Sequence, residues 1–410
     1  MNTKVFHYRL RRLCAFIVGT VFLLAGIFKL LDPVGAGLVM EEYYRFLHLG
    51  FLMPTAKAFA VALALLEALL GAAMISGVWR KPVAILTTVM IGFFTLLTLL
   101  LAIFNPAMDC GCFGEVIHLS NLQTFLKNLV LLALALTAFL PFKSFGKNRR
   151  RKYVSFFIVA ASMIAFACYS LVTLPLVDYT SFSPGSELMA AKGEDGSEDA
   201  PDDYMATFIY EKNGQEGAFT LDRLPDSTWN YVRTETIKVN RLEIEDNAPI
   251  LSFTDSTGAY RDEKAASGNV LALSVYDMDA LKGDSWTKMA DVMDGAAKAG
   301  FTPLLLVAGT PESFRALPVI VPGVMDRLLP STFYADRKTL VSLNRSNGGA
   351  TWFSDGQLIE KFHNGNLPSD EEILSMTGDD PTDTMLHTST RGRLRFQGFL
   401  LYVFALLLLI

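Results

Sequence analysis

Five long apolar runs separated by short polar turns fill the first 174 residues of the chain. They cover residues 12 to 31, about Thr55 to Gly77, Pro82 to Phe104, Leu122 to Leu140 and Tyr153 to Leu174. Each is near the ~20 residues a helix needs to cross a bilayer. Asp32-Pro33 ends the first, Trp79-Arg80-Lys81 marks the turn after the second, and Pro175 ends the fifth. The first run exceeds the ~7–15 apolar residues of a secretory signal, so it reads as a retained span. Between the first two spans, residues 33 to 54 mix Glu41, Glu42, Tyr43, Tyr44, Arg45 and His48 with apolar side chains, a pattern suited to a short amphipathic segment at the membrane interface.

After Pro175 the pattern changes. Residues 183 to 203 are small, acidic and poor in apolar side chains, as in a flexible tether. From Tyr204, two apolar stretches around Asn213-Gly214 predict a β-hairpin, and a third strand is expected near Trp229 to Val239. From Ala248 strands and helices alternate, which predicts an α/β sandwich. Strands are expected near Leu251–Thr254, Val270–Tyr276, Thr302–Val307, Thr332–Tyr334, Ala350–Phe353 and Leu358–Phe362. Helices are expected near Ser285–Ala299, Pro311–Leu317, Val324–Leu329 and Ser369–Met376, with Ser285 and Ser369 as N-caps. The tail places Arg391, Arg393 and Arg395 before an apolar run of fifteen residues, 396 to 410. That run is short for a span, so it reads as a sixth span or as an interfacial anchor.

Charge gives this pattern an orientation. Residues 1 to 177 hold 16 Lys/Arg against 6 Asp/Glu, and residues 178 to 390 hold 17 against 35. The N-terminal arm, the Arg80-Lys81 turn and the loop from Lys143 to Lys152 concentrate the positive side chains, which belong on the cytoplasmic side. The loop from Asn105 to Asn121 and everything after the fifth span then fall outside. In a bacterium this describes an inner-membrane protein with a cytoplasmic N-terminus and a large periplasmic domain. The acidic soluble part excludes nucleic acid as a partner; the bilayer and an envelope protein are the expected ones. The four cysteines include Cys14 and Cys168 inside apolar runs, and Cys110 and Cys112 one residue apart in the third loop.

The run Ala25-Gly26-Ile27-Phe28-Lys29-Leu30 with Asp32-Pro33, Glu67 with Gly71, and Cys110-Gly111-Cys112-Phe113-Gly114 resemble the DoxX-like membrane family, in particular its MauE (methylamine utilisation) branch. The resemblance implies a four-helix membrane module linked to electron or thiol transfer in the envelope. Residues 248 to 376 resemble the thioredoxin-like fold of the TlpA and peroxiredoxin type, on Ala248-Pro249-Ile250-Leu251-Ser252-Phe253 and Asp355-Gly356-Gln357-Leu358-Ile359. Where that group carries its Cys pair this chain has Val275-Tyr276-Asp277-Met278-Asp279, and where it carries a cis-proline this chain has Asn347-Gly348-Gly349-Ala350. The domain therefore reads as a degenerate, binding version. The expected fold is a multi-pass α-helical membrane protein, a DoxX-like module plus one or two further spans, with a soluble thioredoxin-like α/β domain and a small β unit. The expected divisions are 1–141, 142–177 (basic loop and fifth span), 178–203 (tether), 204–246 (β unit), 247–380 (thioredoxin-like domain) and 391–410 (final apolar helix).

Two chemistries follow. Cys110 and Cys112 read as a redox pair exchanging electrons with an envelope thiol partner, with a quinone as the possible acceptor; this would make the chain a thiol-disulfide or quinone-linked oxidoreductase. Cys110 and Cys112 with Asp109, Glu115 or His118 are an alternative metal set, and a static structural pair is the plain reading; no metal is assigned. Glu67, mid-span, must be paired, protonated or facing a cavity. Lys29 is its expected ion-pair partner, and a proton relay is the sharper role. The alternative function is a non-catalytic scaffold or assembly factor that binds an envelope protein through the sheet edges and loops of the cysteine-free domain.

Overall fold

The computed structural model describes residues 3–106, 111, 114, 119–140, 150–188, 204–212, 215–219, 230–238 and 249–410. Its helical part comprises α1 (Thr3–Leu31), α2 (Pro33–Phe46), α3 (Ala56–Ser76), α4 (Arg80–Phe104), α5 (Asn121–Phe139) and α6 (Arg150–Val172). All of these but α2, together with α12 (Pro381–Leu409), give six helical stretches among the described residues that are long and apolar enough to cross a membrane. The amphipathic segment 33–54 forms α2, with Asp32 as N-cap and Pro33 in its first turn, followed by a 3₁₀ stretch over Gly50–Thr55. A proline that lacks an N–H is suited to that position.

Small residues let α1 and α3 approach backbone to backbone. A Cβ at Gly26 would sit 2.6 Å from the Ala68 nitrogen, and one at Gly71 would sit 2.6 Å from the Gly19 carbonyl oxygen. Close small-residue crossings of this kind drive helix association where lipid supplies no hydrophobic contrast. Gly71→Leu should separate the two helices, because backbone cannot yield as a flexible side chain can. The expected cost is at least the ~1–3 kcal/mol of ordinary overpacking, read as a lower melting temperature of the detergent-solubilised protein; an unchanged melt would contradict the crossing.

Basic side chains tie down the helix ends at the face away from the soluble domain. Arg11 Nε donates to the Ala138 carbonyl at 2.9 Å, Lys152 Nζ to that of Ser76 at 2.7 Å and Arg80 Nε to that of Gly77 at 3.1 Å. Cations at helix C-termini complement the orphan carbonyls and the helix dipole. The positive charges at this face thus cap helices.

The soluble part begins with three strands, β1 (Tyr204–Lys212), β2 (Gln215–Phe219) and β3 (Asn230–Lys238), in the antiparallel order β2-β1-β3. The hairpin and third strand expected from the sequence are therefore present. Next come β4 (Phe253–Thr254), β5 (Asn269–Val275), β6 (Thr302–Val307), β7 (Thr332–Ala335), β8 (Gly349–Ser354) and β9 (Gln357–Phe362). They form one six-stranded sheet in the order β9-β8-β5-β6-β7-β4. Strands β5, β6 and β7 run parallel, and β8, β9 and β4 pair antiparallel to their neighbours. Helices α7 (Gly283–Lys298), α8 (Pro311–Arg315), α9 (Pro322–Leu328), α10 (Arg337–Leu343) and α11 (Asp370–Gly378) flank it.

The near-continuous apolar stretch of β5 reflects burial on both faces. Leu271, Leu273 and Val275 pack with Trp286, Met289 and Ile373 on one side. Val270 and Ala272 pack with Leu340, Leu343 and Phe182 on the other. Ser369 caps α11 through a reciprocal capping box with Glu372, as its sequence predicts, whereas α7 starts two residues before Ser285 with Lys282 as a cap that makes no side-chain hydrogen bond.

The last helix, α12, rises from the soluble domain and packs on α6. Phe166 stacks on Phe399 at 5.7 Å between ring centroids, and Ser162 donates to the Tyr402 hydroxyl at 3.0 Å. The tail expected as either span or anchor is thus the end of a 29-residue helix, and its apolar half belongs to the bundle.

Candidate functional site

Two places gather buried charge: a cavity inside the helical module, and the seam between that module and the soluble domain. In the cavity, Lys29 Nζ donates to both carboxylate oxygens of Glu67, at 2.8 and 2.6 Å. The pair joins α1 to α3, with side chains 14 and 5 % exposed. Partnering is what a carboxylate in hydrocarbon requires. The pair stands at the wall of a cavity of about 500 Å³. Its walls are apolar apart from a few groups that include Tyr43, Thr98, Lys127 and Asn128. The Asn128 amide is held by the Thr98 hydroxyl at 3.2 Å, which fixes α5 against α4.

The CGCFG run touches the same region at its glycines. Gly111, at φ 60°, lies against Val39 of α2, and Gly114, at φ 63°, lies beside the backbone of Phe28 and Lys29. Left-handed backbone without a Cβ lets the loop come this close. Cys110 and Cys112 lie outside the described residues, as do Asp109, Glu115 and His118.

The seam has its own logic. Asp32 Oδ1 accepts from the Gly35 N–H at 2.9 Å, capping α2, while its Oδ2 lies 2.9 Å from Arg345 Nε of the soluble domain in an ion pair. Both side chains of this ion pair are buried, 8 and 5 % exposed. Beside it, Arg337 grips Glu41 with two parallel hydrogen bonds of 2.8 and 2.9 Å, and Lys338 reaches Glu42 at 3.5 Å. Acidic α2 thus meets basic α10, and the fork-on-carboxylate geometry of Arg337 adds direction to the attraction. A further pair, Lys361 with Asp178 at 2.5 Å, ties β9 to the segment that follows α6. Burial pushes the Lys361 ammonium below its usual range, and Asp178 opposes that shift.

Above the seam, two loops at the end of the sheet are laced by one asparagine. Asn347 Oδ1 accepts from the backbone N–H groups of Tyr276 and Asp277 at 2.9 and 3.1 Å, and its Nδ2 donates to the Asp277 carbonyl at 2.6 Å. Tyr276 donates its hydroxyl to the Arg345 carbonyl at 3.0 Å, and burial pushes its phenol up to about 12. Val275 to Asp279 and Asn347 to Ala350 therefore form a closed polar junction linked to the Asp32 ion pair.

Sheet edges offer little. Residues 185 to 188 pair along β9, through the hydrogen bonds of Gly185, Ser186 and Leu188 with Leu358 and Gly356, and the opposite edge, β4, is two residues long. Covered or shortened edges resist strand addition. Exposed loop positions such as Tyr260, Val319 and Val321 remain.

Residues 8–141 match the family described as methylamine utilisation protein MauE. They form a MauE-type membrane module. Within it, the residues that carry the sequence resemblance are structural pivots: Asp32 caps α2, Gly71 permits the crossing of α1 and α3, and Glu67 pairs with Lys29. Residues 204–241 match a domain of unknown function (DUF8463) and coincide with the three-stranded sheet. No curated protein and no solved structure matches the chain.

The expected thiol/disulfide relay is corrected. The described cysteines, Cys14 in α1 and Cys168 in α6, are both free and belong to no pair, and there is no disulfide among the described residues. Nothing among the described residues supports a cysteine relay, and the scaffold reading fits better.

Sequence reasoning missed the seam because its members look ordinary in isolation. Asp32 reads as a span terminator, Glu41-Glu42 as interfacial polarity, and Arg337 and Arg345 belong to no motif. The available signal was complementary charge, an acidic pair on an amphipathic segment and a basic pair, Arg337-Lys338, directly after a strand.

His363 offers a test of the seam by pH. Burial, then the charge of Lys57, lowers its imidazole below the ordinary value. Below about pH 6.5 the unfolded chain binds a proton that the folded chain refuses, so stability falls as pH drops through that window. Thermal unfolding should show this acid sensitivity in the parent, and His363→Gln should flatten it; equal slopes would contradict the placement of His363 against Lys57.

Proposed function

We propose that this chain is a non-catalytic membrane scaffold or assembly factor. The MauE-type module and two further helices anchor it, and the soluble α/β domain holds an envelope protein. The single observation that carries this reading is the Asn347 junction, where hydrogen bonds to Tyr276 and Asp277 fill the place at which thiol exchange would need a cysteine pair. After Cys168 the chain has no sulfur nucleophile to offer.

The finer fold reading, a thioredoxin-like domain over residues 247–380, is supported by the β5-α7-β6 parallel unit followed by the antiparallel β8-β9 hairpin and α11. A periplasmic location for this domain is supported by the basic side chains gathered at the opposite face of the module. The test is photo-cross-linking from Tyr260, Val319 or Val321 in intact cells. The expected result is one discrete protein adduct; absence of an adduct from all three positions would sink the proposal.

A second reading concerns the module cavity. Its apolar walls, with the hydroxyl of Tyr43, the ammonium of Lys127 and the amide of Asn128, fit a flat ring bearing two carbonyl acceptors, as in the quinone expected from the sequence. Mass spectrometry of an organic extract of the purified protein should find a quinone, depleted in a Leu63→Trp variant that fills the cavity. An extract free of quinone would reject this reading and leave the scaffold role intact.

A further inference from the structure

The three arginines ahead of the final apolar run do not take part in the seam, and they break the rule that positive charge stays on the cytoplasmic side. Arg391, Arg393 and Arg395 stand on α12 on the side of the bundle that carries the soluble domain. No hydrogen bond or salt bridge engages their guanidiniums among the described residues.

Geometry fixes their depth. The arginines directly precede the apolar run that opens at Phe396, and Phe396 shares their cavity with Leu174, just past the end of α6 at Val172, so the arginine turn stands at headgroup level where the two apolar helices leave the hydrocarbon. There the three arginines line a cavity of about 400 Å³ whose other wall is Leu174, Val177 and Phe396. The remaining charged groups at this cavity are largely committed: Lys361 to Asp178 and Arg345 to Asp32. Glu360 also lines it; burial pushes its carboxyl up, and the charges of Arg391 and Arg395 oppose that shift, so one carboxylate faces three guanidiniums.

We infer that this cavity binds the phosphate of an anionic phospholipid, with the phosphate on Arg391, Arg393 and Arg395 and the glycerol and first acyl carbons along Leu174 and Phe396. Guanidinium forks match phosphate oxygens in pairs. The apolar wall distinguishes a lipid from a free anion, because inorganic phosphate gains nothing from Leu174 or Phe396. Such a lipid would pin α12 to the loop after α6 at the base of the soluble domain.

Native mass spectrometry of the full-length protein released from mixed phosphatidylglycerol and phosphatidylcholine nanodiscs tests this. Phosphatidylglycerol should be retained in preference to phosphatidylcholine, and millimolar inorganic phosphate should not displace it. The triple variant R391Q, R393Q, R395Q should lose that preference by roughly 100-fold, as three cations near an anionic surface imply. If the triple variant does not fold, Arg393→Gln alone should lower the preference by about fivefold. Equal retention of the two lipids, displacement by inorganic phosphate, or an unaltered preference in a folded variant would each overturn the inference.

Discussion

Replacing Arg345 with alanine should loosen the soluble domain from the membrane module more than any other single change at the seam. The substitution strands Asp32, which is 6 % exposed and cannot recover hydration where it lies. Removing one partner of a buried pair costs about 3–5 kcal/mol, because the remaining charge stays desolvated. Arg345 also stands next to the Asn347 junction through the hydrogen bond from Tyr276 to its carbonyl. Limited proteolysis and thermal unfolding should both register the loss. Arg345→Met combined with Asp32→Asn should recover much of it, since neither charge then remains buried. A double variant no better than Arg345→Ala would show that the pair contributes through packing rather than charge.

The second large effect is expected inside the module. Glu67→Ala leaves the Lys29 ammonium at an apolar cavity wall without its carboxylate. Lys29 stands in the last turn of α1, so the cost is bounded above by the about 2.5–3.5 kcal/mol of a charge at mid-membrane depth. Glu67→Gln should be milder, because an amide still accepts a hydrogen bond from Lys29, and Lys29→Met with Glu67→Met should be milder than Glu67→Ala. Yield in the membrane and melting temperature in detergent measure this series. If Glu67→Ala matches the parent in both, the ion pair does not hold α1 to α3.

Much of the architecture was legible in the sequence because each element carries its own local pattern. The spans show as apolar runs closed by Asp32-Pro33, Arg80-Lys81 and Pro175, and strands such as Thr302–Val307 show as short apolar runs between turn residues. Ser369 announces its helix by the Glu372 three residues on. What stayed hidden depends on the meeting of distant segments. Helix α10 is only seven residues long and has weak periodicity, yet it supplies Arg337 to Glu41, 296 residues earlier in the chain. Likewise, α12 starts at Pro381, before the apolar run that marked it in the sequence, because its polar first half is stabilised by tertiary contact rather than by hydrophobic pattern. The Cys110–Cys112 motif drew a chemical reading from spacing alone, whereas Asn347 explains the soluble domain's junction by hydrogen bonds that no spacing reveals.

The central claim, that this protein works as a scaffold without thiol chemistry, is tested most directly by a cysteine-free full-length chain. Cys14, Cys110, Cys112 and Cys168 are replaced by serine, and cross-linking from Val321 in intact cells is compared with the parent. The expected result is the same protein adduct in the same yield, with no change on addition of a thiol-alkylating reagent. Loss of the adduct from a cysteine-free chain that is correctly inserted and folded would contradict the scaffold reading.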